Sequence, residues 1–143
     1  MKGTLFEMII TAIDPAGKGT TGVMLFCDTQ NWISFSKKND TPYESFCYIR
    51  KIIERNNSKI IIIENFLPFR RITNSALSTI SMVEAYCCDN NLLFLKYHPN
   101  SKIKWKNYSL CYKFKNKHES DAWKIGQEYF LRNGHFIRFN LSD

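Results

Sequence analysis

No apolar run in the sequence approaches the roughly 20 residues that a membrane span needs, and Glu7 falls inside what would have to be a signal peptide's apolar stretch. These two absences predict a cytoplasmic protein. No C-x-x-C pair is present either, and the five cysteines, Cys27, Cys47, Cys87, Cys88 and Cys111, are odd in number. That argues against a disulfide framework or a zinc site and predicts reduced, buried thiols. A phosphate-binding loop is missing too. Around Gly17-Lys18-Gly19-Thr20, Ala12 stands where G-x-x-x-x-G-K-[ST] needs its first glycine, and Gly19 stands where it needs Ser or Thr.

The last absence is of charge of one sign. Between Asn90 and His118 there is no acid, while Lys96, Lys102, Lys104, Lys106, Lys113, Lys115 and Lys117 all lie in that window. The window alone accounts for the formal net charge of +7, so the rest of the chain is close to neutral. Tyr97, Trp105, Tyr108, Tyr112 and Phe114 are interleaved with the lysines. Such a mixture suits phosphate contact with base stacking and predicts a nucleic-acid partner. In extended backbone, Lys102, Lys104 and Lys106 would share one side, as would Lys113, Lys115 and Lys117. The bland alternative is a solvated lysine-rich loop whose aromatics turn into the core.

What is present fits one domain spanning residues 1–143, with 44% hydrophobic and 23% charged residues. Residues 8–13 read as a central strand that delivers Asp14 to a small-residue turn. Residues 21–27 and 31–36 follow as two more strands of an antiparallel meander. Thr41-Pro42-Tyr43-Glu44 combines a capping threonine, a proline at the first helical position and a glutamate three residues after the cap, and it predicts a helix to about Arg55. Four consecutive isoleucines in residues 59–64 imply a strand buried on both faces and ending in Glu64. A loop over residues 65–73 precedes a helix over residues 74–89. That helix is apolar over more than one stripe, for burial inside the domain or against a second copy. A fifth strand over residues 92–95 and a helix over residues 118–131 follow, and residues 135–143 form a short edge strand or packed extension.

Two central strands that each end in an acid would, as parallel neighbours, bring Asp14 and Glu64 to the carboxyl edge of the sheet, where open α/β sheets place their sites. His118 and Asp121 share one helix face about a turn apart. Taken singly, a turn aspartate and an ordinary helix start explain these residues. Together, the four make a site able to hold two divalent cations for phosphodiester hydrolysis, because each ion needs several carboxylates held on rigid elements.

With these residues in view, the sequence resembles the RuvC family of Holliday-junction resolvases, in the ribonuclease-H-like superfamily. The matching pieces are I-D-P-A-G-K-G-T-T-G at Asp14, I-I-E-N-F at Glu64, S-A-L at the next helix and H-E-S-D-A-W-K-I at His118 and Asp121. The resemblance implies a ribonuclease-H-like α/β fold with a five-stranded mixed sheet flanked by helices. It makes Asp14, Glu64, His118 and Asp121 a metal-binding catalytic tetrad, with Mg²⁺ the usual cofactor. It further implies a homodimer that nicks opposite strands of a four-way DNA junction, and an aromatic residue after the second acid, Phe66 or Phe69, working near the opened bases. Arg70 and Arg71 in the same loop join the lysines as candidate DNA contacts, and Lys113, Lys115 and Lys117 are the candidates for the scissile phosphate. Two departures stand out. Ala16 replaces the usual first glycine, and His118 occupies a position that is often aspartate, a nitrogen ligand that suits Mn²⁺ better than Mg²⁺. The short stretch between Glu64 and His118 points to a compact viral or phage-type member, acting in the host cytoplasm. The rival readings are a related nuclease acting on forks, flaps or RNA–DNA hybrids, a non-catalytic branched-nucleic-acid-binding module, and an actin-like phosphate binder, which would need two such halves.

Overall fold

A computed structural model of the chain describes residues 9–65 and 74–133. Among these residues five strands form one sheet in the order β3-β2-β1-β4-β5, where β1 is Ile10–Asp14, β2 Gly19–Phe26, β3 Trp32–Asn39, β4 Ile60–Glu64 and β5 Leu93–Tyr97. The first three strands make the expected antiparallel meander, and β4 and β5 continue the sheet from β1 in parallel. The antiparallel meander plus parallel strands, flanked by helices, is the architecture expected from the sequence.

Alternation along the strands divides the core in two. Ile10, Ala12, Met24, Phe26, Ile60 and Ile62 face helix α4 (Lys117–Arg132), meeting Ala122, Trp123, Ile125 and Phe130. Ile13, Val23, Leu25, Ile61 and Ile63 face helices α1 (Pro42–Arg55) and α2 (Asn74–Asp89), meeting Ile49, Ile53, Ile80 and Val83. Both faces of β1 and β4 are therefore covered, which is why their sequences read as unbroken apolar runs. A period of two also fixes where the strand-end acids point. Asp14 continues the Ile10–Ala12 row and Glu64 the Ile60–Ile62 row, so both carboxylates fall on the α4 side.

Helix α1 begins as its sequence signals predict, with Thr41 Oγ1 accepting from Glu44 N at 3.1 Å and Pro42 in the first turn. Helix α2 packs against α1 and β5. Its buried stripe is Ala76, Ile80, Val83 and Cys87, and Leu77 and Tyr86 extend that stripe into the same core. Partners inside the fold therefore take up much of its wide apolar surface.

Two expectations are corrected. Lys102, Lys104 and Lys106 do not alternate along extended backbone. Residues Pro99–Trp105 form a 3-10 helix that runs into the short helix α3 (Lys106–Ser109). Proline at the start of that helix and the His98 side chain capping Asn100 N favour a helical turn there. Nor are the thiols generally buried: all five cysteines are reduced, but Cys27, Cys88 and Cys111 are exposed and Cys87 alone is fully buried. Burial pushes the Cys87 thiol up to about 12, leaving it inert. The aromatics of the basic window divide between the two earlier readings. Tyr97 and Trp105 are buried and Phe114 packs on the core, whereas Tyr108 and Tyr112 are exposed. Phe66, Phe69, Arg70, Arg71 and the tail over residues 135–143 lie outside the described residues.

Candidate metal centre

Asp14 and Glu64 end adjacent parallel strands, and α4 crosses the same sheet face to bring Asp121 to them. All three carboxylates are buried, and one oxygen from each lies within 4.8 Å of the others. Like charges so close repel unless a cation sits among them. That strain shows at Glu64, whose carboxyl is pushed up to about 7 by burial and by the neighbouring Asp14 charge; Lys102 pulls it down without offsetting them. Among the described residues, Glu64 Oε1 is buried with no hydrogen-bond partner. An orphaned carboxylate oxygen inside an acidic triad suits a bound divalent ion, and a hard oxygen-rich donor set suits Mg²⁺ or Mn²⁺.

The sequence-predicted tetrad is brought together unequally. His118 Nδ1 lies 3.0 Å from Asp14 Oδ2, and this hydrogen bond, with the Asp14 charge, raises the imidazole above its ordinary range. His118 thus reaches the cluster through Asp14, and it is not among the three residues whose donor atoms converge. Lys102 stands between the other two acids, its Nζ 2.9 Å from Glu64 Oε2 and 3.3 Å from Asp121 Oδ2. Burial works against its charge, but Glu64, Asp121 and Asp14 outweigh that and hold the ammonium above its usual range. Lys124, at helical spacing from Asp121, approaches Asp121 Oδ1 at 3.5 Å.

The surroundings hold these groups in place. The turn after Asp14 is clamped from below: Ser45 donates to the Gly17 carbonyl at 2.8 Å and Thr79 to the Ala16 carbonyl at 3.1 Å. Ala16 N in turn donates to Thr21 Oγ1. At the start of α4, Asn116 caps Glu119 N, and the fully buried Glu119 carboxylate accepts from Ser36 Oγ at 2.6 Å and Lys115 N at 3.2 Å. Further along α4, buried Glu128 accepts from Trp105 Nε1 at 3.0 Å and pairs with Lys104 and Arg132, tying the 3-10 helix to α4.

A cleft of about 410 Å³ opens over the triad, and Lys18, Thr20, Lys117 and His118 also line it. The remaining predicted contacts Lys104, Lys106, Lys113 and Lys115 are exposed and do not line this cleft. A second cleft of about 390 Å³ beside β3 and α1 has only the exposed acids Asp40 and Glu44, so it lacks a buried donor set. Sequence reasoning missed Lys18, Lys124, Glu119 and Glu128. Of these, Lys124 had a local signal in its three-residue spacing from Asp121, and Lys18 in the glycine-rich turn that fails as a phosphate loop.

No sequence-family model matches the chain, and no curated protein matches it by sequence. Solved structures do. Thermus thermophilus RuvC is 14% identical with a TM-score of 0.69, over 90% of this chain and 98% of that one. T. thermophilus RuvC in complex with a Holliday junction substrate is 15% identical with a TM-score of 0.65, over 90% and 97%. The fowlpox virus Holliday junction resolvase is 15% identical with a TM-score of 0.60, over 87% and 99%. At these identities the likeness is one of fold, and the chain has the RuvC-type, ribonuclease-H-like fold.

Proposed function

We propose that this chain is a metal-dependent endodeoxyribonuclease that resolves four-way DNA junctions, acting as a homodimer that makes paired nicks. The observation that carries the reading is the buried Asp14–Glu64–Asp121 triad at the carboxyl edge of a sheet whose fold is shared with two junction resolvases. Asp14, Glu64 and Asp121 hold the metal, and His118 completes the set while fixing the Asp14 carboxylate through its ring N–H. Divalent ions bound there supply an activated water and neutralise charge on the leaving oxygen. The chain's own residues do the rest. Lys117 and Lys18, on the cleft wall, receive the phosphate, with Lys113 and Lys115 just before α4 extending that contact. Lys104 and Lys106 hold the flanking backbone, and Phe66 or Phe69, with Arg70 and Arg71, work at the opened crossover. Mg²⁺ is the working ion, and the imidazole at the edge of the set makes Mn²⁺ an effective substitute.

Asp14→Asn tests this reading. The variant keeps the shape and the His118 hydrogen bond but removes one charge from the triad, so cleavage of a four-way junction should be lost while junction binding in Ca²⁺ persists. Cleavage at the normal rate would show that the ligands are misassigned.

A further inference from the structure

We infer that Lys102 is the resident cation of the metal-free centre, and that a divalent ion enters by displacing its ammonium toward the mouth of the cleft. The inference rests on the triad being the metal site proposed above, but it concerns how that site fills. The Lys102 ammonium bridges Glu64 and Asp121 at 2.9 and 3.3 Å. Its side chain is only 20% exposed, whereas its neighbour Lys104, two residues on, is 51% exposed. A lysine gives up that much solvent because the converging acids, two of them in direct contact with it, offer the ammonium a counter-charge.

An ammonium and a divalent ion cannot share that cluster of carboxylates. Both draw on the Glu64 and Asp121 carboxylates, and an ion on Glu64 Oε1 would lie one carboxylate away from an ammonium on Oε2, where the two charges repel strongly in a poorly screened interior. The backbone under Lys102 is not free to retreat, because Trp105 at the end of the same 3-10 helix is buried and donates to Glu128. The side chain itself can leave, since its four-carbon stem rotates without disturbing that anchor. Its way out is the cleft that Lys102 lines together with Lys18 and Lys117. Filling the site would then place a third ammonium beside the two that face the phosphate. Metal loading and DNA capture are coupled through one side chain, and the coupling is reciprocal.

Two measurements on the intact chain test this. First, Lys102→Gln and Lys102→Arg are titrated with Ca²⁺ alone by calorimetry. Gln should bind Ca²⁺ about 5- to 150-fold more tightly than wild type, the typical size of a coupling between two bound groups. It should also melt lower in EDTA, and Arg should restore both values toward wild type. A lysine that merely props up the fold would lower the melting temperature without tightening Ca²⁺ binding. Second, amine acetylation of the wild-type protein is followed by mass spectrometry with and without Ca²⁺, using Lys104 as internal reference. Lys102 labelling should rise several-fold with Ca²⁺ while Lys104 changes little. Ca²⁺ binding with unchanged Lys102 reactivity, or unchanged affinity in Lys102→Gln, overturns the displacement. No Ca²⁺ binding by any of the three proteins overturns the metal-site reading and the displacement together.

Discussion

Gly22 of β2 offers the sharpest test of how the fold sets the site. It pairs with Asp14 across the β1–β2 ladder and lies directly under the first turn of α4. A methyl group added there would sit 2.2 Å from the His118 carbonyl oxygen, 2.3 Å from its carbon and 2.8 Å from Glu119 N. These are backbone atoms, and ordinary contact begins near 3.4 Å. In Gly22→Ala the start of α4 must therefore withdraw by roughly an ångström. The movement would open the 3.0 Å contact of His118 with Asp14 and carry Asp121 away from Glu64. Overpacking of this kind costs about 1–3 kcal/mol, while an ångström of misplacement in a catalytic set costs on the order of 10²-fold in rate. Thermal unfolding and junction cleavage measured side by side should show a melting temperature lowered by several degrees with a disproportionate loss of rate. Junction binding in Ca²⁺ should stay near normal. An alanine variant that melts and cleaves like wild type would refute the argument that β2 sets the height of α4 over the acids.

Two further outcomes follow from the same geometry, and a third from the proposed homodimer. In EDTA the protein should lose stability as pH rises from about 4.5 to 7. Over that range the unfolded chain ionises Glu64 while the folded chain holds the proton up to about 7, so the unfolded state binds fewer protons and stability falls. His118, raised by Asp14, contributes stability below its unfolded value and loses it as pH rises through the folded one, so it acts in the same sense. Denaturant unfolding across that range checks this, and flat stability would contradict it. Glu128→Leu removes the acceptor of Trp105 Nε1 and the partner of Lys104 and Arg132, and should cost about 1–3 kcal/mol by chemical denaturation. Glu128→Gln should recover part of that loss. Light scattering across a wide concentration range should give the mass of a dimer, and a monomer throughout would remove the paired-nick mechanism.

Much of this was legible in the sequence because local chemistry and global fold agree. The isoleucine run of β4 and the bounds of α2 could be read from the apolar pattern, and the start of α1 from the Thr41–Pro42 capping signals. Asp14 and Glu64 could be placed at one edge because parallel pairing follows from the strand–helix–strand order. The basic window was less legible. Its alternating lysines suggested a strand, but alternation among charged residues reports nothing about burial, and Pro99 and the His98 cap set helical turns instead. The position of Lys102 inside the acidic triad had no sequence signal, since it depends on the 3-10 helix being pinned across the fold by Trp105 and Glu128. Nothing in the local sequence marks Glu119 and Glu128 for burial. Their burial comes from partners 83 and 23 residues away, Ser36 and Trp105.

The most direct measurement is cleavage of a labelled four-way DNA junction, beside a linear duplex and a fork, in Mg²⁺, Mn²⁺ or EDTA. The expected result is a pair of symmetric nicks in the junction alone, present with either metal and absent in EDTA. Tight junction binding with no cutting in Mg²⁺ or Mn²⁺ would contradict the nuclease reading of the Asp14–Glu64–Asp121 triad.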